Sequence, residues 1–227
     1  MKKAFLILFL VTLITSCKNE STTGNSSEIK KLSTVQQLAA TAGLENWNSL
    51  EEIKFTFNVG KMGRTIMSRK WKWNLVTQDV QLIAIGDTVN YNRNSKLDSN
   101  QISADRAFVN DTYWLLPEFK LVWDKGTSLT EKKSQIAPIS KDTLDMITVL
   151  YNGDGGYTPG DAYDIYYGTD HKFKEWAYRS KNDTAITLAT TFEEFKSVDG
   201  LTFATDHRSP DRMTSINFTD IEITKKK

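Results

Sequence analysis

The run TVLYNGDGGYTPGDAYDIYYGTDHKFKEWAYR, Thr148–Arg179, reads as three antiparallel strands separated by two turns. The first ends at Tyr151, and Asn152–Gly160 is crowded with Gly, Asp and Pro, the residues that punctuate strands. The second spans Asp161–Tyr167, with Tyr163, Ile165 and Tyr167 on one face and Ala162, Asp164 and Tyr166 on the other. Gly168-Thr169-Asp170 supplies the next turn, and the third strand carries Phe173, Trp176 and Tyr178. Such a meander has hydrogen-bonding edges and an apolar face, so the rest of the chain must supply further strands and a cover.

Outward from this run the same rhythm continues. Ile53, Phe55, Phe57 and Val59 alternate before a turn at Gly60–Gly63, and Met67, Trp71, Trp73 and Leu75 share a face of the return strand. Further strands are expected at Val80–Ile85, Thr88–Tyr91, Lys120–Trp123, Ser128–Glu131, Gln135–Ala137, Ile186–Phe195, Leu201–His207 and Ser215–Ile223, and Asn92–Ser103 reads as loop. Two stretches have helical spacing instead. From about Ser27 the apolar positions Ile29, Leu32, Val35, Leu38, Ala39 and Ala42 form one stripe that Gly43 ends, and Leu44, Trp47 and Leu50 suit a short helical turn. Ala104–Leu116 places Ala107, Phe108, Trp114 and Leu115 together before Pro117 stops the pattern. The expectation is a mainly β chain of about eleven strands, one N-terminal helix and one mid-chain aromatic helix.

The N-terminus carries an address. Lys2 and Lys3 precede an apolar run, Ala4–Val11, and small residues follow, the pattern of a secretory signal peptide over residues 1–16. The run is too short for a resident membrane span. Ile14-Thr15-Ser16-Cys17 resembles a bacterial lipobox, which implies that Cys17 becomes a lipidated N-terminus; acyl chains contribute roughly 0.8 kcal/mol per buried methylene to such an anchor. Residues 17–26 then form the anchor and a polar tether reaching roughly 15–18 Å, and residues 27–227 a single β domain.

Composition narrows the chemistry. The 29 Lys+Arg and 28 Asp+Glu become 27 against 28 once Lys2 and Lys3 leave with the signal peptide, so no basic surplus points to nucleic acid. Cys17 is the sole cysteine, and two histidines exclude a three-histidine metal site. Asp154, Asp161, Asp164 and Asp170 lack the spacing of a calcium loop and suit turns. His207 with Asp206 and Asp211 has no Gly-x-Ser-x-Gly elbow beside it. No catalytic residue, metal or cofactor is expected, and the chain does not read as an enzyme.

The segments Glu45–Leu50 (ENWNSL), Ala107–Asp111 with Tyr113–Leu116, Leu121–Gly126 (LVWDKG) and Gly156–Asp164 (GYTPGDAYD) resemble an uncharacterised family of envelope lipoproteins of Gram-negative, Bacteroidota-type bacteria. The resemblance implies a lipoprotein-carrier-like fold, similar to the outer-membrane lipoprotein-sorting proteins: a curved, half-open antiparallel β-barrel wrapped around helices. It further implies an envelope location, lipid-anchored to a membrane, the outer membrane by analogy, with an envelope protein as a conceivable partner. The aromatic residues then admit two readings. Phe55, Phe57, Met67, Trp71, Trp73, Phe108, Trp114, Leu115, Trp123, Tyr163 and Trp176 line a cavity for a lipid, acyl chain or other apolar ligand, with Ala104–Leu116 as its lid, or they fill a core that serves an interaction module. A hydrolase is the third reading. A continuous apolar cavity discriminates the first from the second, and a polar cleft with converging carboxylates would favour the third.

Overall fold

The computed structural model describes residues 32–152 and 158–227, and the alternation noted in the sequence there forms two antiparallel sheets. Strands β1 (Leu50–Lys61), β2 (Arg64–Asn74), β3 (Asp79–Ala84) and β4 (Asp87–Asn92) make one meander. Strands β5 (Thr127–Ile136), β6 (Thr143–Tyr151), β7 (Ala162–Tyr167), β8 (Phe173–Arg179) and β9 (Leu188–Thr191) make a second. Strands β10 (Glu193–Val198), β11 (Leu201–Arg208) and β12 (Thr214–Lys225) return to the first, giving the orders β10-β11-β12-β1-β2-β3-β4 and β5-β6-β7-β8-β9. Each sheet keeps two edges, so the β structure is open and not a closed barrel, as expected.

The meander from Thr148 to Arg179 supplies β6, β7 and β8, and β7 is the middle strand of its sheet. Its two faces are both buried, for different reasons. Ile165 and Tyr167 enter the main core, whereas Tyr166 joins Met146, Ala177 and Ala137 in a small second cluster on the other side. The turn after β5 is held over that second cluster by Glu175, which accepts the backbone N–H groups of Ile139 (2.7 Å) and Ser140 (2.8 Å). In the larger sheet the register sets Phe55 against Trp71, Ile53 against Trp73 and Phe57 against Phe218, which stacks the large inward rings. A two-residue turn joins β1 and β2, with Met62 and Gly63 both at positive φ (51° and 76°), as a tight hairpin requires.

Three helices sit against these sheets: α1 (Thr34–Thr41), α2 (Ser99–Leu115) and α3 (Pro117–Trp123). Helix α1 starts at a capping box in which Gln36 Oε1 accepts the Ser33 N–H at 2.9 Å. It ends at Gly43, where φ is +90° and a Cβ would lie 2.0 Å from the Gly200 carbonyl oxygen; only glycine allows that approach. The Thr202 N–H donates to the Ala42 carbonyl (2.9 Å) just beyond, tying the helix end to β11.

Several boundaries differ from expectation. The stretch Lys120–Trp123 is helix, not strand: Pro117 occupies the first position of α3, where the missing N–H costs nothing, so the proline that ends one helix begins the next. Helix α2 begins at Ser99, inside the expected loop, because Asp98 and Gln101 form a second capping box. Ser128–Glu131 and the expected strand at Gln135–Ala137, up to Ile136, belong to the one strand β5, interrupted by a bulge between Lys132 and Gln135 with Ser134 at φ 54°. Conversely, Ile186–Phe195 is not one strand. Phe192 separates β9 from β10, donates its N–H to the Lys174 carbonyl (2.8 Å) and packs edge-on against Trp176 and His207, so the chain changes sheet there. The signal peptide, Cys17, the tether, the first residues of the expected N-terminal helix and Asp154 lie outside the described residues.

Candidate functional site

Helix α2 touches both sheets and presents a different face to each. Toward β2 it is packed solid: Phe108 meets Trp71 and Trp73 edge-on at 5.4 and 5.2 Å. One turn further, the buried Asp111 accepts two bonds from Arg69 (2.7 and 2.5 Å), one from the Trp71 indole (2.8 Å) and one from Asn110 (3.0 Å). Burial pushes the Asp111 carboxyl up from the usual range, against the opposing pull of Arg69.

Toward the five-stranded sheet the same helix borders a hollow. A cavity of about 770 Å³ lies between Asp105, Val109, Tyr113 and Trp114 of α2 and Tyr151, Tyr163, Trp176 and Tyr178 of β6–β8, with Leu188 of β9 at its margin. The spacing 105, 109, 113 is one helical stripe, and Tyr163 and Tyr178 are cross-strand partners, so periodicity alone brings these side chains together. Tyr113 stacks on Trp176 (5.5 Å, 27°) and leans on Tyr163 (5.1 Å), and Trp114 meets Trp176 edge-on at 4.4 Å. Burial pushes the Tyr113, Tyr151 and Tyr163 hydroxyls up, so all three are neutral at physiological pH.

The remaining wall is charged. Arg93, Arg106, Lys120 and Lys125 face the hollow with Asp105 and Asp124. Arg93 pairs with Asp105 at 2.9 Å, and Asp124 accepts the Tyr151 hydroxyl at 2.8 Å. Lys120, on α3, is half-buried, and burial pulls its amine down, partly countered by Asp124.

Of the expected lining residues, Trp114, Tyr163 and Trp176 stand in the cavity wall. Phe55, Phe57, Trp71, Trp73, Phe108 and Leu115 are buried in the packing behind it. Met67 and Trp123 are partly buried against that core, Trp123 in a cluster with Trp47 (4.6 Å) and Phe119 (5.2 Å). Helix α2 is not a surface flap: Trp114 is only 6% exposed and wedged between Trp176 and His207. The wall residues Tyr113, Tyr151, Tyr178, Arg93, Lys120 and Asp124 were not among those expected. Only the i, i+4 relation of Val109 to Tyr113, and the alternation of β7 and β8, foreshadow any of them.

The other chemistry-bearing side chains have structural partners. Asp161 accepts the Tyr178 hydroxyl (2.8 Å) and the Lys181 N–H (2.8 Å), Asp164 pairs with Arg179 (2.7 Å), and Asp170 with Lys174 (2.8 Å). His207 is fully buried, its Nδ1 lies 3.2 Å from the Thr191 carbonyl, and burial pulls its pKa to about 4, so Nδ1–H donates from a neutral ring. Asp206 pairs with Arg208 (2.6 Å), Asp211 accepts from Ser209 Oγ (2.6 Å), and neither carboxylate bonds His207. Among the described residues no group of three potential ligands could hold a metal ion.

Compared with known proteins, the sequence matches no protein-family model and no curated protein. Several solved structures align with it over most of their length. A DUF1329 family protein from Desulfovibrio piger aligns over 85% of this chain and 94% of its own (TM-score 0.48, 11% identity). A domain assigned to outer-membrane lipoprotein sorting, from Vibrio parahaemolyticus, aligns over 83% and 91% (TM-score 0.47, 9% identity). A LolA superfamily protein from Nitrosomonas europaea aligns over 86% and 96% (TM-score 0.48, 6% identity).

Proposed function

We propose that this chain is an envelope lipoprotein, anchored to a membrane through Cys17, that binds a lipid, acyl chain or other apolar molecule between α2 and the five-stranded sheet. The observation that supports this reading is the cavity of about 770 Å³ with an aromatic floor, a volume in the range of small-molecule sites. We read it as a binding protein and not an enzyme, because the two carboxylates of the wall are engaged by Arg93 and Tyr151.

The cavity is tested by extracting lipids from the chain purified out of its own membranes. A stoichiometric apolar molecule is expected with the wild type and is reduced with Val109→Trp, whose ring intrudes into the hollow over Tyr113. Equal lipid in both would make the retained molecule a companion of the anchor and remove the reading. The anchor has its own test: Cys17→Ala takes up no radiolabelled fatty acid, and persistent labelling would place the lipid elsewhere.

A further inference from the structure

Donor groups of the cavity wall that find no acceptor among the described residues include Lys120, the Trp176 indole and Lys125, the last of them exposed to solvent. Lys120 makes no side-chain hydrogen bond or ion pair with any described residue, although it is half-buried beside the hollow. Its nearest candidate counter-ion is Asp124, four residues on. That residue has left the helix (φ −69°, ψ 131°), stays beyond ion-pair distance and spends its acceptor on the Tyr151 hydroxyl. The other wall carboxylate, Asp105, is taken by Arg93. Trp176 is 1% exposed, and its indole N–H finds no acceptor.

A partly desolvated ammonium with no ion pair, its charge answered only at a distance by Asp124 and Asp105, is costly in the free protein, and an anion arriving beside it recovers part of that cost as binding. A purely apolar ligand would make matters worse, since it would bury the amine further without offering it an acceptor. The aromatic floor and the cationic end therefore call for different parts of one molecule: an apolar body over Tyr113, Tyr163 and Trp176, and acceptor oxygens toward α3.

Resting on the cavity reading above, we propose that the ligand is an amphiphile with one terminal anionic oxygen group, a carboxylate or a phosphate monoester, held by Lys120. The full-length chain is reconstituted in phosphatidylcholine vesicles, and binding of radiolabelled laurate, dodecyl phosphate and dodecanol is measured in excess of protein-free vesicles. All three share one chain length and differ at the head. Laurate or dodecyl phosphate is expected to bind about 10- to 100-fold tighter than dodecanol, the ratio set by a charge-assisted hydrogen bond; whichever anion is tighter identifies the head group. Lys120→Met and Lys120→Gln bring both anions down to the dodecanol affinity without changing dodecanol itself, and Lys120→Arg restores the difference. Equal affinity for all three heads, or an anion preference that survives both neutral variants, overturns the head-group assignment while leaving the cavity reading in place. Failure of all three to bind overturns both.

Discussion

Asp111→Ala lowers the stability of the chain by about 3–5 kcal/mol in denaturant unfolding, the cost of stranding one half of a buried ion pair. The carboxylate is fully buried and its acceptor capacity is filled by Arg69, Trp71 and Asn110. Without it the Arg69 guanidinium keeps its place over the Phe57 ring (4.9 Å) and against Met67, with its charge unanswered, and the Trp71 indole loses its acceptor. Arg69→Met in the same chain recovers most of the loss, because replacing both partners of a buried pair by apolar groups is close to neutral. A single variant within 1 kcal/mol of wild type would mean that water reaches Arg69 and that the helix is not clamped to β2 as the geometry indicates. The consequence for function is positional. The clamp fixes α2 at the height of Asp111, and Val109, Tyr113 and Trp114, which edge the cavity, hang from that point.

How far the sequence foretells this arrangement depends on the range of the interactions involved. The β6–β8 meander is legible because strict alternation with aromatic and β-branched residues leaves one register that buries Ile165 and Tyr167. The PEFKLVW segment is not, since a short apolar run has no period long enough to separate helix from strand; the proline at its first position decides for helix only once α2 is known to end beside it. The division of β9 from β10 is invisible locally because Phe192 continues the apolar pattern of both strands. The site shows the same split. Trp114 and Trp176 are recognisable as rings that need cover, but whether a ring fills a core or edges a hollow depends on which side of α2 it lies. Phe108 and Tyr113 are five residues apart on one helix and meet opposite environments. Lys120 was out of reach for another reason: its place in the wall depends on Lys120–Trp123 being helix, which no local pattern decides.

Stability against pH carries the second large effect, and it centres on Glu118. The residue is 6% exposed in the first turn of α3, and shares a small hollow with Leu38 and Thr41 of α1, with Ala42 at its end, and with His171, Lys172, Phe195 and Thr202. Neither of the two basic side chains among them bonds to it within the described structure, and Lys172 lies over the Phe195 ring at 5.2 Å. Burial raises its pKa from 4.5 to about 7, in spite of a bond from its own backbone N–H. The folded chain thus holds a proton that the unfolded chain has released above pH 4.5, so stability falls as pH rises through the window from 4.5 to about 7, by about 3 kcal/mol in all. His207 works in the opposite sense. Its pKa drops from 6.5 to about 4 on burial, so its neutral ring loses about 3 kcal/mol of stability as pH falls from 6.5 to about 4. Between 4.5 and 6.5 the two slopes oppose each other, and the contributions of this pair cancel. Glu118→Gln removes one of them: the variant gains on wild type steadily above pH 4.5, is about 3 kcal/mol more stable beyond pH 7, and between 4.5 and 6.5 shows the rising slope of His207 that wild type masks. Unfolding curves taken from pH 4 to pH 8 read this directly. Parallel profiles for the two proteins would mean that Glu118 titrates as an exposed carboxylate, and that α1 does not cover the start of α3.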